Sequence, residues 1–347
     1  MERNTVTRRV LRRSGVPAAL LALVVGLSAC SSATSQLEEG QLAQGSAAPA
    51  ESPQVSEPEG GELVPVPGSV RAVVAVGDRV AVQSQTGGDL QIGRVDGTRW
   101  TPEHTIELPA DAGTATGGDD GSFVVPYPDG VVVVSPEGRS RQISGTGPVS
   151  AAAVTQEGKL ITGTAEGEVV IRDAEGVEEA RLEGLTSVDS LTVARDGSVT
   201  ALSRTDTVIA SIDPSEEVAG PLLRAGRGAG MMSDLGEGSL VASDTVGNTL
   251  LVYSTSPVRL HQQFPVGAAP WAVAEDPSRS VVWVTSTGTN TVQAYDLGDG
   301  IGVLRAEIPT VRQPDALAVT DSGTVVVGSA DGAGLHLIRP NLTGPAG

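Results

Sequence analysis

The stretch PWAVAEDPSRSVVWVTSTGTNTVQAYDLGDGIGVLRAEIP, residues 270–309, decides the fold. It contains four short apolar segments, several of them rich in β-branched residues, and turns of Gly, Asp, Ser or Pro separate them. The whole chain is punctuated in this way, with 44 Gly and 22 Pro among 347 residues. Such a composition is typical of short strands joined by tight turns. The stretch therefore predicts a small sheet of up to four strands.

The same pattern recurs along the chain. The segment 229–254 aligns with it so that Asn248 matches Asn290, and a further copy begins at Pro314. The repeated units start near residues 69, 110, 148, 186, 228, 268 and 312. Seven units of about 40 residues predict an all-β, seven-bladed β-propeller with four-stranded blades. Six or eight blades would follow if one faint unit were misread. A pair of β-sandwiches, the alternative architecture, would not predict this self-similarity.

The predicted ring needs a strand from the beginning of the chain to close it. The last unit is short, and the apolar segment 62–69 precedes the first unit without a partner of its own. We expect this segment to supply the outermost strand of the last blade, because an open ring would leave sheet edges free for aggregation. The predicted propeller spans residues 62–343.

The first 29 residues predict an export signal. Several Arg residues precede an apolar run over residues 16–27, which is short for a membrane span. The run ends in the tetrapeptide LSAC, residues 27–30, and Cys30 is the single Cys of the chain. The alternative is an ordinary secretory signal with a chance Cys. A short TRRVL stretch, residues 7–11, also resembles a twin-arginine motif, so the export route stays open.

The tetrapeptide resembles the lipobox of bacterial lipoproteins. The resemblance implies that residues 1–29 are a lipoprotein signal peptide and that Cys30 carries diacylglycerol and acyl chains such as palmitate. It implies a protein held at the extracytoplasmic face of the cell membrane. Residues 30–61 are rich in Ser, Ala, Pro, Gln, Glu and Gly. They predict a disordered linker between the lipid anchor and the propeller, because they offer little apolar surface to bury.

Charge and composition exclude several classes of site. The net charge of −19 excludes a nucleic-acid binder that works through a basic surface. One Cys excludes a disulfide framework and a Cys-based zinc site. The three His residues, His104, His261 and His336, fall in different predicted blades. His336 falls on a predicted third strand and His261 on a predicted fourth strand, both away from the axis. The acidic runs 118–121 and 296–300 occur at expected turns and lack EF-hand spacing. We therefore expect no metal and no cofactor besides the lipid.

Two resemblances extend the propeller prediction. The unit over residues 270–297 is similar to the YVTN subclass of WD40-like propellers, and the earlier units keep less of that pattern. The whole chain resembles the LppL-type lipoproteins of actinobacteria, as shown by the stretches LLRAGRGAGMM, VGNTLLVYS, TNTVQAYDL and IPTVRQPDALA. The second resemblance implies a cell-envelope protein and supplies no established biochemical activity.

The functional expectation follows from what the chain lacks and from propeller geometry. There is no G-x-S-x-G motif and no evident Ser/His/Asp set. We expect a monomeric, non-catalytic binding or scaffold module for an envelope partner. The alternative is a lactonase- or quinoprotein-like propeller, an enzyme or ligand carrier with its site in the central channel. Trp271 is either a contact residue or a wedge between blades. The candidate binding mouth consists of Arg227, Met231, Trp271, Asn290, Gln313 and Asp315, with Asp189 and Ser150 from earlier blades.

Overall fold

The protein is described by a computed structural model that covers residues 46–54, 56–85, 88–216, 218–298 and 300–342. The regular structure of these residues consists of β-strands. None of them forms a helix with the length and apolar character that crossing a membrane requires. The predicted signal peptide and Cys30 lie outside the described residues.

Most strands are four to eight residues long and are joined by short turns. The first thirteen are β1 (Gly61–Val64), β2 (Val70–Val76), β3 (Arg79–Ser84), β4 (Asp89–Asp96), β5 (Arg99–Glu107), β6 (Thr116–Gly117), β7 (Phe123–Tyr127), β8 (Gly130–Val134), β9 (Ser140–Ser144), β10 (Ala151–Val154), β11 (Leu160–Gly163), β12 (Val169–Arg172) and β13 (Glu178–Leu182). The others are β14 (Ser190–Val193), β15 (Val199–Ser203), β16 (Val208–Ile212), β17 (Leu223–Arg224), β18 (Ala229–Gly236), β19 (Ser239–Asp244), β20 (Thr249–Thr255), β21 (Val258–Pro265), β22 (Pro270–Asp276), β23 (Val281–Ser286), β24 (Thr291–Asp296), β25 (Val303–Pro309), β26 (Pro314–Val319), β27 (Val325–Ser329) and β28 (Leu335–Ile338).

The strands form seven four-stranded antiparallel sheets, which are the blades of a propeller. Blades one to six take four consecutive strands each, from β2–β5 through β22–β25. Blade seven has the strand order β1, β28, β27, β26, so its outermost strand comes from the start of the described chain. The predicted all-β, seven-bladed architecture with four-stranded blades is confirmed.

Strand β1 closes the ring as expected. It runs antiparallel to β28, with Gly61 opposite Ile338 and Val64 opposite Leu335. The strand therefore begins one residue before the segment that the sequence indicated. The pairing covers the outer edge of β28, which would otherwise present unpaired backbone groups to solvent.

The core lies between adjacent blades and is built mainly from aliphatic side chains. The second and third strands of the blades are almost wholly buried, as in β11, β12 and β27, whereas outermost strands such as β9 and β13 are largely exposed. Because both faces of a blade pack against neighbours, its inner strands carry continuous apolar runs instead of alternating ones. The large fully buried aromatic side chains are few and include Trp283, Tyr253 and Phe123.

The Asp-Gly and Glu-Gly pairs at residues 129–130 and 166–167 predict hairpin turns with a positive φ at the glycine. The two glycines show different reasons for the absence of a side chain. Gly167, in the turn between β11 and β12, has a φ of +91°, which L-residues rarely adopt. Gly130 begins β8 and does not have a positive φ. A Cβ at Gly130 would instead collide with the carbonyl oxygen of Ile143 on the adjacent strand. The expectation of a positive φ was therefore wrong at Gly130, where close strand packing imposes the glycine.

A buried carboxylate joins the last two blades. Asp276, fully buried at the end of β22, accepts hydrogen bonds from Arg279 Nη1 at 2.6 Å and from Trp283 Nε1 at 3.2 Å. The same Arg279 nitrogen donates to the carbonyl oxygen of Gly323 in blade seven at 2.8 Å. The contact fixes blade six against blade seven and so positions the loops at the two ends of their strands.

Candidate functional site

Each blade sends two kinds of loop to each face of the disc. We call the upper face the one formed by the loops that enter innermost strands and the loops that join second and third strands. Examples are residues 310–313, which lead from β25 of blade six to the innermost strand β26 of blade seven, and residues 287–290, between β23 and β24 of blade six. The lower face carries the remaining loops. All six residues of the predicted binding mouth lie on or next to the upper face.

Residues 46–54 and 56–60 lie against the upper face and the adjoining edge of blades six and seven. We call residues 46–54 and 56–60 the docked segment. At its beginning, Ser46 Oγ lies 3.4 Å from Thr205 Oγ1 of blade four. Ala47 packs against the core cluster that contains Trp271. At its end, the backbone N–H of Glu59 donates to the carbonyl oxygen of Pro309 at 3.1 Å, next to β1.

Ser52 is the centre of this contact and is only 3% exposed. Its hydroxyl donates to the carbonyl oxygen of Thr287 in blade six at 2.8 Å. The same hydroxyl oxygen accepts from the backbone N–H of Gln313 at 3.1 Å. The backbone N–H of Ser52 donates to Gln313 Oε1, also at 3.1 Å. One serine therefore satisfies a carbonyl of one blade and an N–H of the connection to the next.

Other upper-face side chains recognise carbonyl groups of the docked segment. Gln313 Nε2 donates to the carbonyl oxygen of Ala50 at 2.9 Å. The carbonyl oxygen of Pro53 accepts from Asn290 Nδ2 at 3.0 Å and from Arg312 Nε at 3.1 Å. These are contacts to main-chain atoms, which any residue type supplies. Ser56 Oγ also donates to the carbonyl oxygen of Thr310. The upper face of blades six and seven therefore binds an extended polypeptide by its backbone and by small hydroxyl side chains.

The docked segment differs from the sequence-based expectation for residues 30–61. Its composition predicted a coil without contacts, because it lacks large apolar side chains. Its described part, residues 46–54 and 56–60, nevertheless binds the propeller. The contacts use main-chain groups, serine hydroxyls and one alanine, none of which produces a hydrophobic pattern in the sequence.

Two of the loop residues that contact the docked segment have an unusual backbone conformation. Asn290 and Gln313 have φ values of +54° and +47°, in the left-handed region that non-glycine residues seldom adopt. Asn tolerates this conformation better than most residues, whereas Gln has no such advantage. The conformation places both amide side chains beside the docked segment. Strained residues that recognise another chain segment are typical of binding sites.

The predicted mouth residues separate into two groups and one exposed side chain. Asn290, Gln313 and Asp315 form the first group, in which Gln313 Nε2 also donates to Asp315 Oδ1 at 3.0 Å. Burial raises the pKa of Asp315 to about 6. Met231 and Trp271 form the second group, in blades five and six. Arg227 is exposed on the loop that enters β18.

Trp271 is a wedge between blades. It is 7% exposed and packs in a cluster that includes Val311 and Leu317 of the next blade. The guanidinium of Arg204, from blade four, lies 5.3 Å from its ring centroid and donates to Met231 Sδ at 3.2 Å. Burial lowers the pKa of Arg204 from its ordinary value. No sequence pattern singles out Arg204, because its partners belong to two other blades.

Asp189 and Ser150, the mouth candidates of earlier blades, hold loops together. Asp189 Oδ2 accepts from the backbone N–H of Arg204 at 2.8 Å and from Ser187 Oγ at 2.6 Å. Ser150 Oγ donates to the carbonyl oxygen of Val188 at 2.6 Å. These bonds set the position of the upper-face loops of blades three and four.

The lower face has an acidic network with Arg195 inside it. The Arg195 guanidinium forms an ion pair with Glu275 and lies 3.5 Å from Asp234 Oδ2. Burial raises the pKa of Asp234, and the neighbouring Glu275 adds to the effect. Burial also raises the pKa of Asp119, and Glu157 reinforces it. A groove of about 530 Å³ between blades five and six opens next to this network.

The two acidic runs that could suggest a metal site are residues 118–121 and 296–300. Asp120 and Asp296 accept hydrogen bonds within their own turns, from Ser122 and from the N–H of Gly298. Asp299 lies outside the described residues. Within the described ranges, no three or more His, Cys, Asp or Glu side chains lie together as a metal site would require.

The three His residues lie in different blades, as predicted. His104 and His261 are on the outermost strands β5 and β21. His336 is on β28, the third strand of blade seven, and is 1% exposed. Its Nδ1 lies 2.9 Å from Thr310 Oγ1, and burial lowers its pKa to about 4.

Comparison with known proteins supports the fold. No protein-family model matches the chain, and no curated protein matches it in sequence. A chain of the solved structure "Crystal Structure of Mitotic Checkpoint Complex" is 14% identical, with a TM-score of 0.67, over 85% of this chain and 98% of that one. A streptogramin B lyase structure is 13% identical, with a TM-score of 0.65, over 84% of this chain and 100% of that one.

A third similar structure is a chain of hydrazine synthase from Kuenenia stuttgartiensis. It is 12% identical, with a TM-score of 0.65, over 81% of this chain and 99% of that one. A structure described as RRP9 WD40 repeats is 15% identical, with a TM-score of 0.64, over 79% of this chain and 92% of that one. At such identities the likeness shows a WD40-like propeller fold, and the functions of these proteins differ from one another.

Proposed function

We propose that the protein is a lipid-anchored propeller at the extracytoplasmic face of the cell membrane that binds an envelope protein without catalysing a reaction. In this proposal Cys30 carries the diacylglycerol and acyl chains, residues 1–29 are removed, and the mature protein is a monomer. The lipobox-like LSAC sequence and the resemblance to LppL-type actinobacterial lipoproteins support the anchoring. Several acyl chains together hold a protein stably at a membrane.

The observation that carries the binding role is the upper face itself. It holds a polypeptide segment through side chains contributed by two blades, and Ser52 is buried in that contact. A rigid disc with a polypeptide-binding face suits a scaffold more than an enzyme. One of the similar structures is a chain of the mitotic checkpoint complex, which supports a protein partner.

The proposal is tested by crosslinking in the cells that make the protein, followed by mass spectrometry of the captured chains. Arg227→Glu reverses a charge on the upper face, and Arg259→Glu makes the same change on the outermost strand of blade five. A Cys30→Ser form removes the lipid site. We expect one reproducible partner in cells with the unmodified protein and with Arg259→Glu. Arg227→Glu and Cys30→Ser should each reduce its capture several-fold.

Three outcomes would contradict the proposal. Equal capture by Arg227→Glu and Arg259→Glu would exclude the upper face as the binding surface. Absence of any partner, together with a small molecule retained in native mass spectra of the purified protein, would favour the ligand-carrying or enzymatic alternative. Fractionation that leaves the unmodified chain outside the membrane fraction would overturn the lipid anchor.

A further inference from the structure

The docked segment contacts the propeller as a bound peptide would. Before Gly61 its residues belong to no strand, and most of its side chains are exposed. Its hydrogen bonds run between main-chain groups on one partner and side chains or carbonyls on the other. Blade seven is already complete with β1, so residues 46–56 are not needed to pair any sheet edge. The segment occupies a surface that the ring closure itself does not use.

The surface has a defined chemical preference. Ser52 fills a site where a carbonyl oxygen of blade six and an N–H of the next connection both need a partner. Ala47 lies beside Gly228, where an added Cβ would come 3.4 Å from the Ala47 Cβ, and it packs against the cluster that contains Trp271. Pro49 and Pro53 favour an extended backbone on either side of the carbonyl group of Ala50. The site therefore selects an extended peptide with small residues, a serine and flanking prolines.

We propose that the upper face over blades five to seven is a binding site for an extended Pro-, Ala- and Ser-containing segment of a partner protein, and that residues 46–56 occupy it in cis. This inference rests on the proposed function and names the chemistry of the partner. Only residues 57–60 separate the part of the docked segment that occupies the site from β1. The effective concentration of that part at the site is therefore on the order of millimolar or higher. A weak intrinsic affinity is then enough to keep the site filled until a partner segment competes.

The test uses the full-length chain and a labelled synthetic peptide with the sequence of residues 46–58. In the variant Ala47→Glu/Ser52→Ala the cis segment loses its buried hydroxyl and carries a charge where it packs against the Trp271 cluster. The upper face itself is unchanged. The matched control is Glu51→Ala/Gln54→Ala, which alters two exposed residues of the same segment.

Hydrogen exchange reports whether the segment leaves the surface. The backbone N–H of residue 52, which donates to Gln313 Oε1 in the unmodified chain, should exchange at least tenfold faster in the double variant, while N–H groups of β23 and β27 keep their protection. The labelled peptide should bind this variant at least tenfold more tightly than it binds the unmodified chain or the control. Adding Gln313→Ala to the double variant should weaken peptide binding tenfold or more.

Three results would overturn the inference. The first is a released segment, by the exchange of the N–H of residue 52, with no binding of the peptide. The second is faster exchange in the strands of all blades, which would make the segment an integral part of the fold. The third is no change in the exchange of the N–H of residue 52, which would mean that the segment is not held through Ala47 and Ser52. Peptide binding without any partner captured in cells would leave this site valid and contradict the proposed function, so the two failures are distinguishable.

Discussion

Two titratable residues near the docked segment make the free energy of unfolding depend on pH. Asp315 is half-buried beside Gln313, and His336 is buried beside Thr310. Burial favours the neutral form of each residue, so the pKa of the acid is raised to about 6 and the pKa of the base is lowered to about 4. The two residues therefore affect the free energy of unfolding in opposite directions as the pH falls.

Asp315→Asn should stabilise the protein at neutral pH. In the unfolded chain an Asp ionises near pH 4, whereas in the folded chain Asp315 ionises near pH 6, so folding stability is lost as the pH rises through this window. We expect the variant to be more stable by roughly 1–3 kcal/mol at pH 7.5 and to show no gain at pH 4. Urea denaturation at both pH values measures this difference. The exposed Asp321→Asn in the same blade serves as control, and a gain of equal size at both pH values would contradict the prediction.

His336 should reduce stability in acid. An unfolded His binds a proton near pH 6.5, whereas His336 in the folded chain does so near pH 4, so its contribution is complete above pH 6.5 and is lost as the pH falls toward 4. We expect a loss of about 2 kcal/mol between pH 7 and pH 5 that is absent from His336→Gln. The measurement is the difference between denaturation midpoints at the two pH values. His261→Gln, on an exposed position, should keep the full loss; a loss of the same size in His336→Gln would exclude this explanation.

At the scale of the element, the closing strand β1 depends on close contact with β28. A Cβ added at Gly61 would collide with the carbonyl oxygen of Leu337, and a backbone atom cannot move aside as a flexible side chain could. The opposite holds at Leu63, which is 53% exposed on the same strand. Closure therefore requires a residue as small as glycine at position 61 and tolerates substitution at position 63.

Gly61→Val should weaken the closure of the ring. We expect a loss of about 2 kcal/mol or more, because the strand must shift away from its partner or distort. The uncovered edge of β28 would then favour association between molecules. Thermal denaturation measures the first effect and size-exclusion chromatography the second. Leu63→Ala should change stability by no more than about 0.5 kcal/mol. A monomeric Gly61→Val protein of unchanged stability would show that β1 is dispensable.

The elements also show how much of the fold the sequence could predict. The strand pattern of blade six repeats along the chain, so blade number and strand number could be read from periodicity. Closure by the segment at residues 62–69, of which β1 uses the first part, followed from a missing strand in the last unit. The position of residues 46–60 could not be predicted, because Ala47 and Ser52 produce no apolar period and their partners are carbonyl and amide groups. The same reason hides the contact of Arg204 with Trp271, which joins residues of different blades.

At the scale of the whole molecule, the excess of acidic residues sets the response to salt. The chain has 42 Asp and Glu against 23 Lys and Arg, and its net charge is −19. Ion pairs between exposed groups contribute little each, whereas repulsion among many like charges acts over the whole disc. Repulsion should therefore dominate, and salt should relieve it.

We expect the denaturation temperature to rise between 20 and 300 mM NaCl. Arg195→Gln should make this rise larger, because it removes a positive charge from between Glu275 and Asp234 on the lower face. Arg99→Gln, on an exposed strand position, is the matched change of charge. A denaturation temperature that falls with salt would mean that the ion pairs outweigh the repulsion.

The pairing of β1 with β28 imposes an order on the completion of the fold. The strand that is synthesised first among those described has its partner near the other end of the chain, so it must wait until residues 335–338 are available. The same delay applies to Ser52, whose partners Thr287 and Gln313 also come late. A chain interrupted before blade seven would hold six blades that cannot become a ring, with exposed edges for proteases and chaperones to recognise. A closed ring therefore indicates that synthesis has passed residues 335–338.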